Sequence, residues 1–386
     1  MIKISPSNLF SEGLSKNNND TVDVYKEILN KLFEPSSWLQ DPLQVCSSYF
    51  NLVSKTREPL DWATENDVVL QQQTMALRHF PNTDKITAKY PVVVLPPQAG
   101  HDSKLADYSA EQSLVRTLQR QGLDVYVIEW LSATKDDAEL GINDYIRFTD
   151  LAVDKMRELN NVTKVHMIGQ CQGGWQAAMY TSIHQDKIAT LTVAASPIDF
   201  HAERGVLNEI VDNLPIEFYE KLTAKGFLDG QDMLKGFKML QANEHYHLKY
   251  VKEFSMALSQ DKKAMARLIH FERWYNHTQN VPKRFYLEVV TEVFKNNCLA
   301  NPGSFQVDSE PIDLKNIVCP LVMIGGTKDH ITPHKQVFGM RNLVGTTQSN
   351  IEEIIVEAGH IGVLMGTKVL KNSYPNICSI MKRNED

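Results

Sequence analysis

The stretch Val165-His-Met-Ile-Gly-Gln-Cys-Gln-Gly-Gly174 constrains the fold of this chain more than any other. A short apolar run runs straight into a turn with glycine on either side of Cys171, and the helix-forming segment GWQAAMYTSIH follows at once. A buried strand that turns directly into a helix brings backbone segments close together, and glycine leaves room for them. Such a turn exposes the cysteine sulfur. It also sets the sulfur at a helix N-terminus, whose positive dipole end favours thiolate. The amide of the next residue, Gln172, then faces the place where an oxyanion would develop.

The surrounding pattern supplies the sheet that such a turn needs. VVLQQQTMALRHF reads as one early strand, and YPVVVLPP (90–97) is a continuous apolar run closed by a proline pair, as in a strand buried on both faces. AEQSLVRTLQRQG (110–122) reads as a helix ending at glycine, DVYVIEW (124–130) as a strand, DYIRFTDLAVDKMRELN (144–160) as a helix and KIATLTVAASP (187–197) as a strand. Alternating strands and helices from 90 to 200 predict a doubly wound, mostly parallel sheet with helices on both faces. The alternation stops over residues 200–310, which are rich in helix formers and aromatics, and resumes with IVCPLVMIGG (317–326) and NIEEIIVEAGH (350–360). The simplest organisation is a catalytic α/β domain over 71–386 with a helical cap inserted at about 200–310. A separate second domain is the alternative for the insertion. Residues 1–70 read as an N-terminal helical extension, with a helix N-cap at Asn19 or Asp20.

The turn around Cys171 has the Gly-x-nucleophile-x-Gly form of the α/β-hydrolase nucleophile elbow, with cysteine in place of serine. The other members of a triad follow in the chain order that this fold uses: nucleophile, acid, histidine. Asp329 lies in Thr327-Lys-Asp-His-Ile-Thr-Pro333, just after the strand PLVMIGG. His360 lies in Ala358-Gly-His-Ile-Gly362, on a glycine-flanked loop after the strand IEEIIVE. Open α/β sheets carry their sites outside the carboxyl ends of the strands, where these segments fall. His360 is expected to take the thiol proton and Asp329 to fix its tautomer, although Asp107, Asp136, Asp137 and Asp150 remain open as the acid. The second oxyanion amide is expected from the loop after YPVVVLPP, at Gln98. His330 and Trp175 are candidates to line the substrate.

Composition narrows the remaining classes. The 386 residues carry a net charge of −7, from 47 acidic and 40 basic side chains, with no basic run, which disfavours a nucleic-acid partner. The five cysteines, at 46, 171, 298, 319 and 378, are widely spaced and odd in number, so neither a disulfide framework nor a zinc site is expected. Cys46 and Cys378 read as helix residues, Cys298 as part of the cap and Cys319 as the start of a core strand. No GxGxxG or phosphate-binding loop occurs, no run approaches the ~18 apolar residues of a membrane helix, and the N-terminus has no long apolar leader core. A cytoplasmic protein with free thiols is the expectation.

Over roughly residues 90–365 the chain resembles the polyhydroxyalkanoate synthases. GQCQGG looks like their cysteine-containing lipase box, KDHITP like the segment with their catalytic aspartate and AGHIGV like the one with their histidine. PP at 96–97, SLVR at 113–116, Trp130, DYI at 144–146, SPIDFH at 196–201, HFERWYNH at 270–277 and IDL at 312–314 fit in the same order. The resemblance implies an acyltransferase that loads 3-hydroxyacyl groups from coenzyme A onto Cys171, with no bound cofactor. It also implies a homodimer or a second synthase subunit as partner, and association with polyester granules. The chain departs from the synthase pattern at QAGHDSKLADYS after Pro97, and at Trp175 after the double glycine. The Cys-Gln-Gly-Gly-Trp form is similar to a poorly characterised, synthase-related branch. A thiol-dependent hydrolase (a polyester depolymerase or thioesterase) and a non-catalytic granule protein are the alternatives.

Overall fold

A computed structural model describes residues 59–82, 85–98, 100–240 and 262–385. The chain divides into two compact units: 58–240 with 273–386, described below, and 1–57 with 241–272, of which only 262–272 are among the described residues. The expected N-terminal extension with its cap at Asn19 or Asp20, and the expected helix around Cys46, lie almost wholly outside the described residues.

The centre is an eight-stranded sheet. Its strands are β1 (Asp67–Gln72), β2 (Met75–Phe80), β3 (Val92–Leu95), β4 (Val125–Trp130), β5 (Val165–Gln170), β6 (Ile188–Ala194), β7 (Leu321–Gly326) and β8 (Ile351–Val356). They lie in the order β1-β2-β4-β3-β5-β6-β7-β8. β1 pairs antiparallel with β2, and β2 antiparallel with β4; every other pairing is parallel. Every residue of β3, β4, β5, β6 and β7 is buried, which is why these strands are rich in apolar residues on both faces, β3 and β7 without a polar side chain, rather than alternating. The stretch expected as one early strand is instead a hairpin. Gln73 turns the chain with a φ of 37°, and Leu70 pairs with Leu77. The sequence hides this turn because neither glycine nor an Asn-Gly pair marks it.

Helices connect the successive parallel strands: α1 (Leu114–Arg120) after β3, α2 (Ile142–Asn160) after β4 and α3 (Gln172–Ile183) directly after β5. Ser113 caps α1, its Oγ accepting from Arg116 N at 2.9 Å. α2 turns Ile142, Tyr145, Ile146, Ala152, Val153 and Met156 inward, and ends at Asn161 in the left-handed region, φ 51°. Between β6 and β7 the chain runs through the helices Val206–Asn213, Ile216–Leu222, Gly230–Leu240 and Lys262–Asn276. Lys283–Glu288 then leads into a π-helical turn over Val289–Lys295. Two ribbons of two-residue strands interrupt this stretch, Phe227–Leu228 with Val281–Pro282 and Gln306–Val307 with Glu310–Pro311. No strand of this region joins the main sheet among the described residues.

Strand β4 lies on one side of β3 and β5 on the other, so the winding of the sheet reverses beside β3. Crevices outside the carboxyl ends of strands open at such reversals. β5, β7 and β8 run parallel, so the segments that leave their carboxyl ends emerge on one edge.

At the opposite edge the chain's end is tied to the sheet. The Glu385 carboxylate accepts from Lys89 N at 3.0 Å and Tyr90 N at 3.3 Å and pairs with buried His166 Nε2 at 3.0 Å. Burial opposes the charge on Glu385, but the bonds from His166, Lys89 and Tyr90 outweigh it and hold the carboxyl below its usual range. A depressed folded pKa stabilises the protein above the unfolded value of 4.5 and ceases to do so as pH falls through the folded value. Glu385→Gln should therefore cost about 1–3 kcal/mol at pH 7. In urea melts across pH, the gap to the wild type should narrow below pH 4.5.

Candidate active site

Cys171 sits at φ 51° and ψ −118°, between the end of β5 and the first residue of α3. The glycines around it are required by the backbone itself. A Cβ on Gly173 would lie 2.0 Å from Leu95 O, and one on Gly169 would lie 2.4 Å from Gly173 O. Both obstacles are backbone atoms, which cannot rotate away. Cys171 N donates to Ala194 O at 2.7 Å, which fixes the turn to the end of β6. A non-glycine residue held at positive φ is costly and persists only where its surroundings impose it. Here glycine contacts on both sides and the bond to β6 impose it.

The acid and the histidine are brought together as their positions after β7 and β8 imply. His360 Nδ1 and Asp329 Oδ2 are 2.8 Å apart, and both residues are buried. The other oxygen, Asp329 Oδ1, accepts from Ile331 N at 3.0 Å and Thr332 N at 2.9 Å, so the carboxylate is held at both ends. Thr327 N donates to Val356 O and Lys328 N to Ala358 O, which lashes the aspartate turn to the segment that carries the histidine. Gly326 permits this approach, since a Cβ there would stand 2.3 Å from Ala358 O. His360 differs from expectation in one respect: it does not sit in an open loop but opens the helix His360–Met365, with Gly359 at the N-cap. That helix anchors the imidazole backbone by its Val363 N to Gly359 O bond.

Burial alone would lower the pKa of His360. The negative charges of Cys171 and Asp329, with hydrogen bonds to both side chains, outweigh it and raise the pKa well above the usual histidine value. The other acids weighed in the sequence have different partners. Asp107 accepts from Ser113 Oγ at 2.6 Å and Thr64 Oγ1 at 2.9 Å, and Asp150 is held by Lys187 and Tyr180. Asp136 and Asp137 belong to a short turn at Lys135–Asp137, where Asp137 caps Thr134.

The other described thiols separate cleanly from Cys171. Burial pushes Cys298 up to about 12, Cys319 to about 11 and Cys378 to about 12, whereas Cys171 is partly exposed. Buried, protonated thiols of that kind are inert. Among the described residues no group of three or more His, Cys, Asp or Glu side chains could hold a metal ion.

The oxyanion candidates fall beside the elbow. Gln172 is the first residue of α3, and Gln98 follows Pro96 and Pro97, neither of which has an N–H. Gln98 N is therefore the first donor the chain offers after β3 ends, and Leu95 O abuts Gly173. No described group accepts a hydrogen bond from Gln98 N or Gln172 N. His330 is exposed, with its carbonyl accepting from Val206 N at 2.9 Å. Trp175, expected as a lining residue, is instead fully buried in the main core, its ring stacked on Phe285 at 6.2 Å. α3 is buried along nearly its whole length, so position 175 points into the core behind the elbow. Sequence reasoning missed Tyr145, whose hydroxyl accepts from Gln98 Nε2 at 2.7 Å. Its only local signal is an inward position on an amphipathic helix.

Removing either anion should lower the pKa of His360, because both raise it. In imidazole NMR titrations the wild-type ring should remain protonated above pH 6.5, and Cys171→Ala should move its titration to lower pH. An unchanged titration would show that sulfur and imidazole are not coupled.

The chain is 28% identical over 274 residues to the poly(3-hydroxyalkanoate) polymerase subunit PhaC of Allochromatium vinosum, covering 71% of this chain and 75% of that one. It is 29% identical over 304 residues to poly(3-hydroxyalkanoate) polymerase 1 of Ectopseudomonas oleovorans, covering 77% of this chain but spanning only 52% of that polymerase. Among solved structures, a putative lipase from Sulfolobus solfataricus superposes with a TM-score of 0.50 at 14% identity, covering 83% of this chain and 99% of the lipase. That likeness identifies the fold as that of the α/β hydrolases. A family model matches residues 72–384, and the chain accordingly belongs to the family described as a protein of unknown function, DUF3141, related over most of its length to the polyhydroxyalkanoate polymerases.

Proposed function

We propose that the protein is an acyltransferase of the polyhydroxyalkanoate synthase type. It would move 3-hydroxyacyl groups from coenzyme A thioesters through a Cys171 acyl-enzyme to a hydroxyl acceptor. The observation that carries the reading is the His360 Nδ1–Asp329 Oδ2 pair, buried and 2.8 Å apart, in a chain that holds Cys171 in a glycine-bound elbow and is similar to named polymerases. Coenzyme A enters this reaction as the leaving group of the substrate, not as a resident cofactor.

The chemistry follows from the residues in order. The Cys171 sulfur, as thiolate, attacks the thioester carbonyl, and Gln172 N and Gln98 N are the donors available to the resulting oxyanion. The carbon–sulfur bond to coenzyme A breaks, and its thiolate takes the proton held by His360. An acceptor hydroxyl then attacks the acyl-enzyme while His360 Nε2 takes its proton. The new ester forms, the Cys171 carbon–sulfur bond breaks, and the thiolate–imidazolium pair is restored. Asp329 holds Nδ1 throughout, which leaves Nε2 as the proton-transfer atom. One thioester exchanged for another is nearly isoenergetic, and transfer from thioester to alcohol is downhill, so cysteine suits transfer better than serine.

Among the described residues no helix is long and apolar enough to cross a membrane. The reading predicts that 3-hydroxybutyryl-coenzyme A yields free coenzyme A and ester-linked oligomer. Cys171→Ala should cut coenzyme A release by about 10³-fold or more. Coenzyme A release with only free 3-hydroxybutyrate would instead make the protein a thiol-dependent hydrolase. No release from protein with an intact thiol would remove the enzymatic reading.

A further inference from the structure

The loop after β3 is fastened by groups that stand far from the triad in the sequence. Pro96 O accepts from Trp130 Nε1 at 2.9 Å, and Ser103 Oγ accepts from Trp130 N at 2.9 Å. Gly100 O accepts from Gln279 N at 2.8 Å. Between these points Gln98 is held by its own side chain. Its Nε2 donates to Tyr145 OH at 2.7 Å, and Tyr145 OH shares a further hydrogen bond with Thr74 Oγ1 at 3.0 Å. Gln98, Thr74 and Tyr145 are all buried, at 2%, 2% and 0% exposure.

The anchor is rigid and stays uncharged. The Tyr145 ring packs against Phe285 at 4.4 Å and Trp130 at 5.1 Å between centroids. Burial pushes its hydroxyl up to about 12, against the opposing bonds from Gln98 and Thr74, which favours the neutral phenol near pH 7. A buried glutamine that serves only packing could be replaced by an apolar residue of its shape. This one ties a three-member polar line, from the β1–β2 turn through α2, to the first N–H after β3.

We propose that Tyr145 and Thr74 are positioning residues for acyl transfer: through the Gln98 side chain they restrict rotation of the Gln98 backbone and aim its N–H at the oxyanion formed on Cys171. The proposal rests on the reading of Cys171 as an acyl-carrying nucleophile. Stabilisation of an oxyanion depends on donors already in place, so a loosened donor lowers the rate of acylation without changing the thiol.

Two reactions of the same sulfur separate these effects. Acylation by p-nitrophenyl butyrate passes through an oxyanion, whereas alkylation by iodoacetamide displaces iodide and forms none. Tyr145→Phe keeps the ring and removes the hydroxyl; Gln98→Leu removes the anchor from the other end and keeps the backbone N–H. Each should slow the acylation burst about 10- to 100-fold while leaving the alkylation rate of Cys171 unchanged, and the double variant should be no slower than the worse single one. Wild-type acylation rates in both variants would overturn the proposal, as would equal losses of acylation and alkylation, which mark a merely structural role. A wild-type protein that is alkylated at Cys171 but never acylated would overturn the nucleophile reading itself, and is recognised without any variant.

Discussion

The absence of a Cβ at Gly169 and Gly173 is the constraint on which the site depends. Because a Cβ on Gly173 would fall 2.0 Å from Leu95 O, the end of β3 and the start of α3 can meet only across glycine. That contact holds Cys171 at positive φ, starts α3 at Gln172 and brings the loop carrying Gln98 to the same place. The position of Cys171 and the N-terminus of α3 are thus set by one packing contact between a strand end and a helix start. The bond from Cys171 N to Ala194 O adds the end of β6. Such a turn is strained, and the eight-stranded sheet behind it supplies the rigidity that keeps it so.

The electrostatics follow from burial. His360 and Asp329 are almost out of water, where an unpartnered charge is costly and a paired one is strongly held. Asp329 uses one oxygen for His360 and the other for two backbone amides, so neither is left for water. His360 then responds to its two anionic neighbours more than to its own desolvation. Cys298, Cys319 and Cys378 show the reverse balance, with burial dominant, and remain protonated thiols. Among the four described cysteines, Cys171 alone is partly exposed.

Much of this was legible in the sequence because it depends on short, local patterns. Unbroken apolar runs marked β3 and β7, a largely apolar one marked β5, and the glycines at 169 and 173 marked the elbow. Asp329 and His360 could be found because each follows directly on a strand, and parallel strands share an edge. What was not legible depends on tertiary contact. The turn at Gln73 carries no turn residue, so β1 and β2 read as one strand. Trp175 looked like a site residue from its place beside the elbow, but α3 is buried on nearly all sides and takes it into the core. The bond from Gln98 to Tyr145 joins two segments through side chains that have no pattern in common. Glu385 reaches Lys89 and His166 across 296 and 219 residues, and no spacing rule anticipates such a closure.

Intact-protein mass spectrometry after rapid mixing with 3-hydroxybutyryl-coenzyme A tests whether Cys171 carries the acyl group. A covalent adduct of the 3-hydroxybutyryl mass should map to Cys171, be absent from Cys171→Ala, and be discharged when an alcohol acceptor is added. An adduct on another residue, or turnover of the thioester with no thiol dependence, would contradict that role of Cys171.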